Sequence, residues 1–203
     1  TITAKVNDGF YDSAAQTFAL TTLDPLATHE IIDPNAAAGN KFSSEVAILG
    51  NGNIVTVSVD DSTYFTKNGA VHLYNPYTQT VVKSFYGDDA NDELGYSGIR
   101  PLANNNFVIA SRKDTVGGID DAGSIMLIDG TTGAVIATHV GDQEDDGFGR
   151  YTKALLNNNF VVTSYTHKND LGVANAGSIM LIDGTTGAQI GATIFGDQEN
   201  DYL

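Results

Sequence analysis

The chain has 203 residues, and its 25 aspartates and glutamates oppose only 10 lysines and arginines, which gives a net charge of −15. Such an acidic surface makes nucleic acid and anionic membranes poor partners. No apolar run approaches the roughly 18 residues that a membrane span requires, so membrane insertion is not expected. The sequence contains no cysteine, which excludes disulfides, thiolate metal sites and a cysteine nucleophile.

An internal repeat organises the sequence. Residues 122–134 return letter for letter at 176–188, a period of 54 positions. The stretch at 104–108 returns at 157–161 and, more weakly, at 51–55. A fixed period of this size is typical of stacked repeat units or propeller blades. We therefore predict a single repeat domain over residues 1–203, divided into a partial unit at 1–44 and full units at about 45–98, 99–152 and 153–203.

The partial first unit is the most eroded copy. Residues 16–24 stand where the strand and hairpin of later units stand, and Phe42-Ser43 takes the place of Phe148-Gly149. Because both ends of the sequence are expected to cut through a repeat, the 203 residues are interpreted as a mature fragment or a portion of a longer array.

The unit at 99–152 shows its predicted strands most clearly. Residues 106–111, 124–128 and 134–140 form short apolar and β-branched runs bounded by Gly, Asn or Asp, which are strand signals. Asp129-Gly130, between the last two runs, predicts a hairpin. No segment keeps a 3.6-residue apolar period with helix caps, so almost no helix is expected.

The run from Ile125 to Ile128 is apolar on both alternating faces. A strand covered on one side only would alternate with polar residues, so this strand is expected to lie between two neighbouring layers. Four short strands in each unit of about 54 residues favour an all-β fold of β-propeller type with four-stranded blades. A flat sandwich or a β-helix is the alternative.

Each unit resembles an FG-GAP repeat, the blade of integrin-α-like propellers, in the form found in bacterial surface proteins. The Phe-Gly of that pattern is Phe148-Gly149, which becomes Leu94-Gly95 one unit earlier. Integrin-type blades that bind calcium carry an Asp-x-Asp/Asn-x-Asp-Gly loop. The corresponding places here, residues 51–53, 104–106 and 157–159, hold Asn and Gly instead, so the calcium site of the family is not carried over.

A regular acidic element, Gly-Asp-x-x-x-Asp, precedes the Phe-Gly position in each later unit. Repeated carboxylates in a turn could bind calcium, which takes six to eight oxygen ligands. The alternative is an Asx-type turn that orders the connection between units. The candidate ligands are Asp88, Asp92, Asp142, Asp146, Asp197 and Asp201.

The loop after the second strand of each unit differs most between copies, at residues 60–68, 112–122 and 165–176. Variable loops on a rigid scaffold often carry binding sites, and these loops supply aromatic and basic groups that could hold a sugar or a peptide carboxylate. An ordinary solvated loop is the alternative. The candidate ligand-binding residues are Tyr64, Phe65, Arg112, Lys113, Tyr165, His167 and Lys168.

No catalytic constellation is recognisable, so an enzyme is not expected. Ser111 and Ser164 end equivalent runs, but neither lies in a Gly-x-Ser-x-Gly elbow and no histidine recurs in step with them. We expect a non-catalytic module of a secreted or cell-surface protein, serving adhesion, surface coating or assembly. A carbohydrate-binding or carbohydrate-active propeller is the alternative.

Open repeat arrays expose apolar flanks, because each unit buries its faces against its neighbours. We therefore expect further repeats, a second copy or a partner chain to complete the array, and a glycan or protein as a ligand.

Overall fold

The computed structural model describes residues 2–4, 16–18 and 30–203. The chain divides into two compact units, Thr1–Glu30 and Ile31–Leu203. In the first unit, strand β1 (Ile2–Ala4) pairs antiparallel with β2 (Gln16–Phe18). Most of the predicted partial repeat at 1–44, including residues 19–24, lies outside the described residues.

Three four-stranded antiparallel sheets build the second unit, and each follows the chain order of its strands. The first sheet consists of β3 (Phe42–Ile48), β4 (Ile54–Ser58), β5 (Ala70–Asn75) and β6 (Thr80–Tyr86). The second sheet consists of β7 (Gly98–Pro101), β8 (Phe107–Ser111), β9 (Ser124–Ile128) and β10 (Val135–Val140). The third sheet consists of β11 (Tyr151–Ala154), β12 (Phe160–Ser164), β13 (Ser178–Ile182) and β14 (Ile194–Phe195).

The sheets agree with the predicted all-β repeat of four-stranded units. The described residues contain no helix, and hence none long and apolar enough to cross a membrane. The division into units at 45–98, 99–152 and 153–203 stays a prediction, while the sheets themselves extend over residues 42–86, 98–140 and 151–195.

Two hydrophobic cores lie between successive sheets, and β9 contributes to both. Met126 and Ile128 pack into the first core, between the first and second sheets. Ile125 and Leu127 pack into the second core, between the second and third sheets. This division explains why the strand is apolar at every position. The prediction that β9 lies between two layers is confirmed.

The first strands of the sheets lie side by side, because β7 contacts both β3 and β11. Successive four-stranded sheets that pack face to face with their first strands adjacent form a β-propeller-type repeat. The Phe-Gly position supports this packing, since Leu94 is buried in the first core and Phe148 in the second.

Asparagine side chains join each sheet to the next one. In the second sheet, Asn104 accepts a hydrogen bond from the backbone N–H of Asn106 at 3.1 Å, which closes a turn before β8. Both side-chain amides then donate to the carbonyl oxygen of Gly184 in the third sheet, at 3.0 Å and 2.8 Å. In the first sheet, Asn51 and Asn53 make the same contacts with the carbonyl of Gly130 in the second sheet, at 3.1 Å and 2.8 Å.

Loss of one such contact should destabilise the protein. Replacing Asn106 by Ala leaves the Asn104 amide as the remaining side-chain donor to the buried Gly184 carbonyl, and the loss of one hydrogen bond costs about 0.5–1.5 kcal/mol of unfolding free energy. Urea denaturation of the dilute protein measures the effect. The matched control is Asn159→Ala, because the Asn159 side chain occupies the equivalent place but donates to no described residue. Equal losses in the two variants would contradict a role for the inter-sheet bond.

Candidate functional site

Two clusters of titratable side chains occupy equivalent places in consecutive repeats. The Asp114 cluster contains Asp88, Asp92 and Asp114, and the His167 cluster contains Asp142, Asp146 and His167. Within each cluster, one potential ligand atom from every residue lies within 4.8 Å of the others. These acidic clusters could therefore hold a metal ion.

The repeat geometry brings the members of each cluster together. The two aspartates of the sequence motif lie on the connection from one sheet to the next, and the third member lies in the loop after the second strand. That third position is the same in each unit, since the carbonyl oxygens of Asp61, Asp114 and His167 all accept the N–H of the glycine before the third strand, at 3.0, 2.9 and 3.0 Å.

Asp114 was not among the residues predicted as metal ligands. His167 was predicted only as part of a ligand-binding loop. The step of 53 positions from Asp61 to Asp114 and again to His167 is the sequence signal that could have revealed the third member. It was obscured because a histidine takes the place of an aspartate in the last unit.

Asp92 also serves the turn that the alternative interpretation predicts. Its carboxylate accepts the backbone N–H of Asp89 at 2.6 Å and of Thr115 at 3.2 Å. Its carbonyl oxygen accepts the hydroxyl of Ser111 at 2.7 Å. The Asp92 side chain therefore orders the connection between the first and second sheets whether or not an ion is bound.

Burial gives the Asp114 cluster its unusual electrostatics. It raises the pKa of Asp114 to about 6, and the charges of Asp92 and Asp88 act in the same direction. Burial likewise raises the pKa of Asp92. A cavity of about 290 Å³, between the first and second sheets, borders Asp88 and Asp114. Three neighbouring carboxylates of this kind are stabilised by a proton or by a cation.

The His167 cluster carries its own positive group. The imidazole Nδ1 lies 3.0 Å from Asp146 Oδ1 and 3.9 Å from Asp142 Oδ1. The hydrogen bond with Asp146 raises the pKa of His167, although burial opposes the shift. The ring also stacks on Phe195 at 5.3 Å. In the Asp114 cluster the third member adds a negative charge. A protonated His167 instead adds a positive charge, which partly neutralises Asp142 and Asp146.

The third predicted pair has no third member among the described residues. Asp197 and Asp201 are both exposed. One carboxylate oxygen of Asp201 accepts the backbone N–H of Asp197 at 3.2 Å and of Gln198 at 3.0 Å, which is the geometry of a turn.

The predicted loop residues do not form one site. Arg112, Lys113 and Tyr165 line a common cavity of about 140 Å³. Tyr64 and Phe65 are exposed and lie in the first repeat, where the Tyr64 ring meets Tyr86 edge-on at 4.8 Å. His167 belongs to its own cluster. Lys168 is exposed, and its backbone contacts Gln143 at 3.2 Å.

The raised pKa of Asp114 predicts a pH-dependent stability in the presence of a chelator. Because the folded-state pKa lies above the ordinary value of 3.8, folding is favoured by protonation, and this contribution is lost as the pH rises from about 4 through about 6. Asp114→Asn removes this loss. The unfolding free energy of the variant minus that of the wild type should therefore be about 1–3 kcal/mol more positive at pH 8 than at pH 4. Thermal unfolding of both proteins across this range is the measurement. A difference in melting temperature that does not change with pH would contradict the assignment.

The fold and clusters define an all-β repeat protein with four-stranded units. Residues 101–150 and 154–200 match the model of a family described as a repeat of unknown function (DUF5650). The second and third sheets lie largely within these two stretches. The chain is therefore similar to that family in its repeat unit.

Among solved structures, the chain is similar to a europium-containing methanol dehydrogenase. The identity is 9% and the TM-score is 0.46, with 79% of this chain and 27% of the dehydrogenase chain covered. The chain thus matches about a quarter of that protein's length. No curated protein sequence matches the chain.

Proposed function

We propose that the chain is a non-catalytic, propeller-type module of a secreted or cell-surface protein, and that it serves adhesion, surface coating or assembly. The proposal rests on one face of the third sheet, which is partly exposed although the equivalent face of the second sheet is fully buried. The acidic, repetitive composition is the support for the extracellular location.

The uncovered surface belongs to the third sheet. Val161, Thr163, Ile179 and Leu181 lie on one face of β12 and β13, opposite the residues that enter the second core, and all four are partly exposed. We call these four residues the third-sheet face. Their equivalents in the second sheet are fully buried against the third sheet. These equivalents are Val108, Ala110, Ile125 and Leu127.

The asparagines beside this face have the same incomplete surroundings. The N–H of Asn159 donates to the Asn157 side chain at 3.2 Å, so the turn is formed as in the other sheets. The side-chain amides of Asn157 and Asn159 donate to no described residue, whereas the equivalent amides of the second sheet bind the carbonyl of Gly184. A four-stranded unit with a hairpin carbonyl at this place fits both the amides and the apolar residues.

When the chain is purified alone, we expect a second copy of it to cover the third-sheet face. Further repeats or a partner chain of the same form would use the same contacts. Size-exclusion chromatography with light scattering tests the proposal, with an assembly larger than the 21.4 kDa monomer as the expected result. Leu181→Lys should reduce the assembly to a monomer, and Leu171→Lys, at an exposed position in the loop after β12, should leave it unchanged.

A wild-type monomer that binds no apolar dye would overturn the proposed assembly. Adhesion is tested separately, by binding of the purified chain to immobilised glycans and proteins. Turnover of a carbohydrate substrate would instead favour the enzymatic alternative.

The predicted likeness to FG-GAP repeats supports a surface role, and the acidic clusters offer carboxylate ligands for a stabilising cation. We propose calcium at the Asp114 cluster, where Asp88, Asp92 and Asp114 offer the carboxylate oxygens that calcium prefers. The His167 cluster is the weaker candidate, because a cation would have to displace the proton of His167.

Calcium should raise the melting temperature of the wild-type chain at pH 7.5 and millimolar concentration, since it binds the folded state. Asp88→Asn should diminish this shift, because it removes one carboxylate ligand. The fold should be kept, since Asp88 is exposed and the turn at Asp92 stays in place. Asp197→Asn is the matched control and should keep the full shift. No change in wild-type melting temperature with calcium would exclude the ion as a stabiliser.

A further inference from the structure

All three arginines of this acidic chain line one cavity. Arg100, Arg112 and Arg150 surround a volume of about 280 Å³ together with Tyr96, Ser97 and Tyr151. No acidic residue contributes to its lining. Since the chain carries a net charge of −15, this is a local concentration of positive charge that the overall composition does not predict.

The cavity lies where the first strands of the second and third sheets begin. Arg100 belongs to β7, and Arg150 directly precedes β11, which contacts β7. Arg112 directly follows β8, the neighbour of β7 in the second sheet. The strands of two adjacent sheets therefore fix the backbone positions of the three arginines.

Two of the three guanidinium groups have no carboxylate partner among residues 30–203. Arg100 pairs with Glu45 at 3.1 Å and donates to the carbonyl of Thr152 at 3.2 Å. The remaining ion pairs of the described residues belong to Lys41, Lys113 and His167. The guanidinium groups of Arg112 and Arg150 are thus available to an anion.

Tyrosine rings hold these two groups in position. The Arg112 guanidinium lies 4.9 Å from the centre of the Tyr96 ring. The Arg150 guanidinium lies 4.3 Å from the centre of the Tyr165 ring and 5.6 Å from that of Tyr151. Contact with a ring face attracts the cation but leaves the N–H edge of a planar guanidinium free to donate.

The same contact is built twice with its partners exchanged. Tyr96 and Arg150 occupy equivalent positions, 54 residues apart, and so do Arg112 and Tyr165, 53 residues apart. In one repeat, Arg112 lies over the ring of Tyr96. In the next repeat, the equivalent positions hold Tyr165 and Arg150, which contact each other in the same way. This exchange brings the two free guanidinium groups to one cavity.

Apart from Glu45, which pairs with Arg100, the acidic side chains beside the arginines line a second, smaller cavity. The adjoining cavity of about 140 Å³ is lined by Arg112 and Arg150 together with Asp121, Asp145 and Asp146. Lys113, on the same side, pairs with Glu93 at 2.8 Å. An anion would therefore be repelled from the smaller cavity and attracted to the larger one.

We propose that the larger cavity binds an acidic sugar, with its carboxylate on Arg112 and Arg150. A guanidinium presents parallel N–H groups that match a carboxylate. Tyr151 exposes 60% of its surface and offers a ring face to a sugar. The hydroxyl groups of Tyr96 and Ser97 can bond to sugar hydroxyls. The volume is near the lower end of small-molecule sites, about 300 Å³, which favours a sugar residue over an extended acidic peptide.

Binding is tested by isothermal titration at low salt with short oligosaccharides of galacturonate, glucuronate and N-acetylneuraminate. At least one of the three should bind the wild-type chain, and the methyl ester of that sugar should not. Arg112→Gln and Arg150→Gln should each weaken binding about tenfold or more, because each removes a charge-assisted hydrogen bond. Lys153→Gln, an equal loss of charge at an exposed residue of β11, should leave binding unchanged.

Near-ultraviolet circular dichroism and melting temperature show whether each variant is folded. If Arg112→Gln does not fold, Arg150→Gln and the methyl ester comparison decide the question. The proposal is overturned if none of the three sugars binds, if binding survives both arginine substitutions, or if polyglutamate binds as tightly with the same dependence on arginine. The third-sheet face does not enter this test, so assembly and sugar binding can fail independently.

Discussion

Phe160→Ala is expected to lower the free energy of unfolding by about 3–5 kcal/mol, the usual cost of truncating a buried phenylalanine. Phe160 is completely buried in the second core. It pairs with Ile182 across β12 and β13 and belongs to the layer shared with Val108 and Leu127 of the second sheet. The truncation therefore opens a cavity between two sheets rather than within one, and the stiff strands on either side can close it only in part.

Urea denaturation of the wild-type chain and the variant measures this loss. Leu156→Ala is the matched control, because the Leu156 side chain is fully exposed, and a change within about 0.5 kcal/mol is expected for it. A loss below about 1 kcal/mol for Phe160→Ala would mean that the second and third sheets do not share a close-packed core.

Gly123→Ala is expected to destabilise the chain by about 3 kcal/mol or more, through overpacking and an unfavourable backbone conformation together. The φ angle of Gly123 is +80°, a region that L side chains rarely adopt. A Cβ at this position would also meet the carbonyl oxygen of Phe148 at 2.2 Å and its nitrogen at 2.6 Å. The clash is with backbone, so no side-chain rotation relieves it.

A second glycine separates the two effects. Gly118 has a φ angle of +84°, but a Cβ added there would meet no atom within 4 Å beyond its chain neighbours, so Gly118→Ala should cost only the backbone contribution of about 1–2 kcal/mol. Denaturation of both variants under the same conditions gives the difference. If the two losses were equal, the close approach of the inter-sheet connection to β9 would be refuted.

The strands were predictable because their signals are local. The apolar and β-branched runs at 124–128 and 134–140 and the Asp129-Gly130 turn lie within a few positions of one another. The burial of β9 on both faces followed from its unbroken apolar run, since a polar residue facing either core would carry a desolvation cost.

The inter-sheet bonds were not predictable from the same information. Asn53 and Asn106 bind the backbone carbonyls of Gly130 and Gly184, which lie 77 and 78 positions away. Every residue has a backbone carbonyl, so the sequence does not indicate which carbonyl a distant side chain binds. The asparagines therefore indicated only their role in turns. The glycines were expected for hairpins, and their contact with the preceding sheet adds a second reason for them.

The candidate site was only partly predictable for a related reason. The motif positions Asp88 and Asp92 are regular along the sequence, but Asp114 enters the cluster from a loop that varies between units. Similarly, Arg100 and Arg150 are not repeat equivalents, and their convergence with Arg112 depends on the packing of β7 against β11. Proximity of this kind is set by the stacking of sheets, which the period alone does not describe.

Carbene footprinting of the third-sheet face tests the assembly account most directly, because it reports solvent access residue by residue. If a second copy covers this face, labelling of Ile179 and Leu181 should fall as the protein concentration rises, while labelling of the exposed Leu171, in the loop after β12, stays constant. Constant labelling of all three residues across the concentration range would contradict the claim that the third-sheet face is the surface through which the module assembles.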